Sequence, residues 1–325
     1  MLNISVKNNT KILVTGGCGF IGSHFIKHIL NTTDFDVINI DNLTYAGNLD
    51  NLSDIIDTDR YTFVKTDISD EDKMDRIFYL NDITYVANFA ADSHVDRSIK
   101  NPNIFANTNI IGTTTLLNLA KEYKIKRYLQ VSTDEVYGML PLNSSEKFTE
   151  NTPLQPSSPY SASKAAADLL VLANYHTYGQ DVVVTRCSNN YGTHQYPEKL
   201  IPVIITKAVQ NLPIPVYGNG LNVRDWIHVE DHCKGILKAL LNGEAGEVYN
   251  FGGNCELTNI DVVKCILDIV KMPHSLINYV KDRPGHDLRY AIDYSKAKQK
   301  LGWEPKTLWT DGIRKTVDWY ANCWM

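Results

Sequence analysis

The chain has 325 residues, of which 43% are hydrophobic and 21% charged, with a formal net charge of −5. A sizeable core is available in one or two domains. The charge and the lack of a basic run argue against a nucleic-acid partner, and no apolar segment reaches the length of a leader or a membrane span.

In chain order, KILVTGG, DVINIDN, YTFVKTD, YVANFAA, RYLQVST and VVVTRCS read as buried strands. Helical spacing of apolar residues marks Phe20–Leu30, Ile104–Tyr123 and Ser161–Tyr178 between them. Strands alternating with helices predict βαβ units and a Rossmann-type, doubly wound parallel sheet of the α/β class. Beyond residue 189 the pattern breaks, punctuated by Pro197, Pro202, Pro213 and Pro215, with helical stretches near 202–210, 230–242 and 259–271. The expected division is a nucleotide-binding domain over 1–188, with a return segment at 225–252, and a smaller α/β substrate domain over 189–325. The six cysteines are scattered and form no CxxC, which fits a reduced, cytoplasmic setting and no metal site.

The first strand runs into TGGCGFIGSHF, where Gly16, Gly19 and Gly22, with Phe20 and Ile21 between the last two, give a glycine turn that opens a helix. Such a turn lets main-chain N–H groups approach a pyrophosphate at a helix N-terminus. Asp41 ends the next strand at the spacing of a ribose-binding acid, which favours NAD over NADP by repelling a 2′-phosphate. Asp67 and Ile68, after the third strand, are candidates to flank an adenine, with a plain strand-end role as the alternative.

The strand RYLQVST leads into Thr133, Asp134, Glu135, Val136, Tyr137 and Gly138. Adjacent carboxylates resist ionising together, so their pKa values split, as acid and base work requires; a helix start rich in acids is the plainer alternative. Successive strand residues point to opposite faces, so both acids reach one ligand only if the chain turns at 133–135. Tyr160 and Lys164 share a face of the helix that follows, where an ammonium would lower the tyrosine's pKa toward neutrality. The same spacing recurs at Tyr61–Lys65 and Tyr294–Lys298, but only the middle pair opens a helix of the nucleotide fold.

The stretches TGGCGFIGS, DNLTYAGNLDNL, FAADSHVDRSI, STDEVYG, YSASK, RCSNNYG, PEKLIP, VRDWIHVEDH and RPGHDLRYAID resemble, in order and over nearly the whole length, the nucleotide-sugar 4,6-dehydratases of the extended short-chain dehydrogenase/reductase superfamily. The resemblance implies NAD-dependent dehydration of dTDP-glucose and/or UDP-glucose to the 4-keto-6-deoxy sugar nucleotide. It implies catalytic roles for Thr133, Asp134, Glu135, Tyr160 and Lys164, and cofactor contacts that include Ala90. It also implies substrate contacts by Ser93, His94, Asn189, Lys199, Leu200, Tyr217, Asn259 and His286, with Arg224 and Arg283 on the diphosphate. The TDE triplet separates this group from superfamily epimerases, which remain one alternative; a non-catalytic NAD-binding scaffold is another. The helices at 104–123 and 161–178 resemble those that pair subunits in the superfamily, so a homodimer is expected.

Overall fold

The structure is a computed structural model and describes residues 10–282 and 285–324. Its first half follows the alternation in the sequence: β1 (Lys11–Thr15), α1 (Phe20–Thr32), β2 (Asp36–Asp41), β3 (Tyr61–Lys65), α2 (Glu71–Leu80) and β4 (Ile83–Asn88). Short helices α3 (Val95–Lys100) and α4 (Pro102–Phe105) follow, then α5 (Thr113–Glu122), β5 (Arg127–Thr133), α6 (Pro159–Tyr178) and β6 (Val182–Cys187). The second half runs β7 (Asn189–Tyr191), α7 (Leu200–Val209), β8 (Ile214–Tyr217), β9 (Val223–His228), α8 (Val229–Asn242) and β10 (Glu247–Phe251). It closes with β11 (Glu256–Thr258), α9 (Asn259–Val270), β12 (Ile277–Val280), α10 (Ser295–Leu301) and α11 (Trp309–Trp324).

Seven strands form the main sheet in the order β10-β6-β5-β4-β1-β2-β3, every pair parallel. The order reverses between β1 and β4, which is where open α/β sheets leave a crevice for a ligand. Leu13 of β1 lies level with Ile38 on one side and Val86 on the other, so the carboxyl ends of the central strands line up around that crevice. Both faces are covered, and apolar residues therefore point to both: Ile12, Val14 and Leu129 pack under α1 and α8, while Leu13, Val86 and Tyr128 face the helices of the other layer. The chain leaves the sheet after β6 and comes back through α8, which lies on α1, to add β10 beside β6.

The remaining strands make a three-stranded sheet, β11-β9-β7, and a two-stranded one, β12-β8. They enclose a second core of Ile201, Ile205, Ile266, Leu267, Ile313 and Val317.

The expected single helix over 104–123 is instead three pieces. It starts at Pro102, where a missing N–H costs nothing, and Ala106–Gly112 is a π-helical turn. The wider turn serves Asn109, whose buried side chain donates to the Asp92 carbonyl at 3.1 Å and to Ser163 Oγ at 2.8 Å, and accepts from the Asp92 N–H at 3.0 Å. The helix expected at 161–178 begins at Pro159. Ser158 caps it by accepting from the Ser161 N–H at 3.1 Å, while Ser161 Oγ accepts from the Ser158 N–H at 3.0 Å. Helix α11, absent from the sequence reading, lays Ile313, Val317 and Tyr320 on α7 and α9.

Candidate active site

The turn expected at 133–135 is present: β5 ends at Thr133 and Asp134–Tyr137 form one 3₁₀ turn. Thr133 is extended, and its side chain accepts from the Glu135 N–H at 3.2 Å, which stops the strand and starts the turn. Asp134 is 2% exposed and Glu135 is half-buried, yet both line one cleft. Burial first, the adjacent Glu135 carboxylate second and Asp225 third push the Asp134 carboxyl well above its usual range. Its Oδ2 has no protein hydrogen-bond partner. A buried carboxyl shifted in this direction, with one oxygen uncommitted, has the character required of a proton donor to a ligand.

The cleft, of about 310 Å³, gathers Gly16, Gly19, Phe20, Ile21 and Gly22 at one end and Asn189, Lys199 and Leu200 at the other, with Ser93, Thr133, Asp134, Glu135, Tyr160 and Lys164 between. Tyr160, in the first turn of α6, is 8% exposed, lies edge-on to Phe105 and has the Thr133 side chain nearby. Lys164, one turn on, donates to the Val131 carbonyl at 2.7 Å. The expected lowering of the tyrosine's pKa does not occur in this chain by itself. Burial, then the Glu135 carboxylate, holds the Tyr160 hydroxyl well above its ordinary value, and burial lowers the ammonium of Lys164. Dry surroundings and a nearby anion outweigh a cation that is spent on a main-chain carbonyl.

The residues at the glycine end fit a dinucleotide. Gly16 has φ +68°, and a Cβ there would stand 2.7 Å from the Ala90 nitrogen; a Cβ on Gly22 would strike the Gly16 carbonyl. No side chain caps α1, so the N–H groups of its first turn face an incoming anion. Asp41 is held by the N–H groups of Cys18 at 2.9 Å and Leu43 at 2.8 Å, and with Asp67, Ile68 and Ala90 it lines a neighbouring pocket.

The other predicted contacts lie off the main cleft. Arg224 is 6% exposed, donates to the carbonyls of Val223 at 2.8 Å and Asp287 at 3.0 Å, and still acts on the Asp134 carboxyl by its charge. Asn259 opens α9 with a buried, unpartnered Oδ1. Tyr217 and His286 meet edge to face at 6.2 Å, where His286 also hydrogen-bonds Asp282 at 2.6 Å. His94 lies 4.0 Å from Glu198 with an unpartnered Nδ1. Arg283 lies outside the described residues.

Sequence reasoning missed four groups beside the cleft. Arg97 donates to Glu198 Oε2 at 3.1 and 3.2 Å and stacks 3.7 Å over the Tyr45 ring, and Tyr45 meets Tyr196 edge-on at 5.6 Å. Tyr45 and Glu198 stand in the quoted stretches DNLTYAGN and PEKLIP, but a contact between segments so far apart has no local signal. Among the described residues no cluster of metal-binding type occurs and no helix is long and apolar enough to cross a membrane.

Comparison with known proteins gives the family and agrees with the fold. The family described as GDP-mannose 4,6 dehydratase matches residues 13–316. The dTDP-glucose 4,6-dehydratase of Shigella flexneri is 50% identical, over 95% of this chain and 92% of its own. The crystal structure of a Streptomyces venezuelae dTDP-glucose 4,6-dehydratase with NAD and TYD bound superimposes with a TM-score of 0.93 at 46% identity, covering 96% of this chain and 97% of that one. A Thermotoga maritima UDP-glucose 4-epimerase with UDP-glucose shares the fold at a TM-score of 0.89 but only 32% identity, over 97% and 99% of the two chains.

Proposed function

The chain belongs to the family described as GDP-mannose 4,6 dehydratase, and we propose that within it this protein is an NAD-dependent hydro-lyase that converts dTDP-glucose to its 4-keto-6-deoxy derivative. The observation that carries the reading is the pair Asp134 and Glu135, one buried acid and one half-buried neighbour in a single cleft with Thr133, Tyr160 and Lys164. An epimerase has no need of an acid and a base aimed at adjacent carbons.

The glycine turn and Asp41, with Asp67, Ile68 and Ala90, would hold NAD, which would supply a reversible acceptor for the hydride taken from C4 and given to C6, and a positive nicotinamide charge. Thr133 holds the C4 oxygen. Tyr160 takes the C4 hydroxyl proton, and Lys164, below it on the same helix face, steadies the resulting charge. The new C4 carbonyl acidifies the C5 proton, which Glu135 removes. Asp134 gives its proton to the C6 hydroxyl, which leaves as water, and Glu135 then returns its own proton to C5. Redox balance is zero across the cycle.

For substrate binding, Ser93, His94, Asn189, Lys199 and Leu200 take the sugar and phosphate side, and Arg224 and Arg283 the diphosphate. Tyr217, Asn259 and His286 take the nucleoside. Asn189 Oδ1 and Trp226 Nε1 are buried without protein partners along this path, as expected of groups that a polar ligand satisfies. Thymine and uracil differ by one methyl, worth about 1–3 kcal/mol in an apolar pocket, so UDP-glucose is a second substrate. The working form is a cytoplasmic homodimer built on the α4–α5 and α6 faces: Ile104, Ile111, Leu169 and Tyr178 are exposed there, and Cys18, Cys187, Cys233, Cys255 and Cys265 are free thiols.

Incubation with dTDP-glucose and with UDP-glucose, read by mass spectrometry, tests the reading. The expected product has lost one water. An unchanged mass with inversion at C4 points to an epimerase, and an unmeasurable rate with UDP-glucose confines the activity to the thymidine nucleotide. Glu135→Gln is expected to retain bound NAD and form no dehydrated product.

A further inference from the structure

Asp287 is 5% exposed and lies beyond both acids in sequence, on the segment that joins β12 to α10. Its Oδ2 accepts from Ser157 Oγ at 2.6 Å and from the Tyr290 hydroxyl. Its main-chain carbonyl accepts from Arg224 at 3.0 Å and from Asn222 Nδ2 at 3.1 Å. The Arg224 guanidinium stacks 4.3 Å over the Tyr290 ring. The segment is held firmly: Val223 donates to the Leu288 carbonyl at 2.8 Å and Tyr290 to the Val223 carbonyl at 3.1 Å. One residue thus joins three parts of the site: the arginine of β9, the tyrosine whose hydroxyl feels the Glu135 carboxylate, and the loop that leads into α6.

Ser157 is the link to the catalytic helix. It directly precedes the cap Ser158, and Tyr160 follows three residues later. Ser157 itself is exposed, so no packing fixes it; its one described side-chain bond is to the buried carboxylate. Hydrogen bonds to a charged acceptor are the stronger kind, and one that crosses from a buried hub to a loop sets where that loop sits.

We propose that Asp287 is a positioning residue that ties the diphosphate-side arginine to the start of α6 through Ser157, so that Tyr160 and Glu135 are set in register around the bound sugar. This rests on the dehydratase reading above.

The test uses the NAD-loaded full chain, with kcat expressed per bound NAD. Ser157→Ala removes the link and nothing from the core. It is expected to lower kcat for dTDP-glucose at least about fivefold, with KM and the calorimetric Kd for dTDP within about twofold of the parent, and Ser157→Thr is expected to restore kcat. Asp287→Asn, whose main-chain carbonyl still accepts from Arg224, should likewise lose kcat and keep its dTDP affinity; if it fails to fold, the serine variants decide. An unchanged kcat in Ser157→Ala overturns the proposal, as does a raised KM at constant kcat, or no rescue by threonine. Failure of the underlying reading looks different: the parent protein then forms no dehydrated product, and Arg224→Lys binds dTDP as the parent does.

Discussion

At Asp134, burial and the neighbouring Glu135 charge act in one direction, both raising the pKa of the carboxyl. The linkage has a definite sign. The folded chain holds this proton more tightly than the unfolded chain, so the residue is neutral for stability below the ordinary carboxyl range, and it costs stability increasingly as pH rises from there toward its folded value. Asp134→Asn removes that cost together with the proposed proton donor. It is expected to lower kcat by about 100-fold or more and yet to raise Tm, by more at pH ~8 than at pH ~5; calorimetry at the two pH values beside steady-state rates checks both halves. The adjacency of the acids and the end of the strand were legible in the sequence. Which of the two is buried was not, because that depends on how the 3₁₀ turn at Asp134–Tyr137 rotates each side chain relative to Arg224 and Asp225 of β9. The lysine shows the opposite failure: Lys164 sits on the predicted face, but the Val131 carbonyl claims its charge, and only the fold brings that carbonyl there.

Helix α6 positions its residues because its start is defined twice, by Pro159 at the first helical position and by the reciprocal bonds of Ser158 and Ser161. Ser158→Ala is expected to cost about 1 kcal/mol, seen as a lower Tm in denaturant or thermal melts, and to leave NAD bound, since the glycine turn is on another element. The strands and the long helices were readable because a two-sided parallel sheet demands continuous apolar runs. The π turn at Ala106–Gly112 was not, because it answers to Asp92 and Ser163, which are distant in sequence from Asn109. Helix α11 did carry a local signal, with Trp309, Ile313, Val317 and Tyr320 at helical spacing after the irregular stretch.

Across the whole molecule, the mouth of the cleft is bridged by residues from segments that share no local structure. Tyr45 follows β2, Arg97 lies on α3, and Tyr196 and Glu198 precede α7. Arg97 is about half exposed, so its ion pair is worth little by itself, and the stacked ring adds a comparable amount. Arg97→Ala is therefore expected to speed NAD dissociation by about two- to tenfold without changing the fold, measured as the dinucleotide retained through gel filtration.

The bridge also couples occupancy to cohesion. A ligand that favours the bridged arrangement adds its binding free energy to the resistance of the chain against unfolding. Preparations stripped of nicotinamide and preparations that retain it are then distinct thermodynamic species, and a partly loaded sample should melt in two steps whose amplitudes report the loaded fraction.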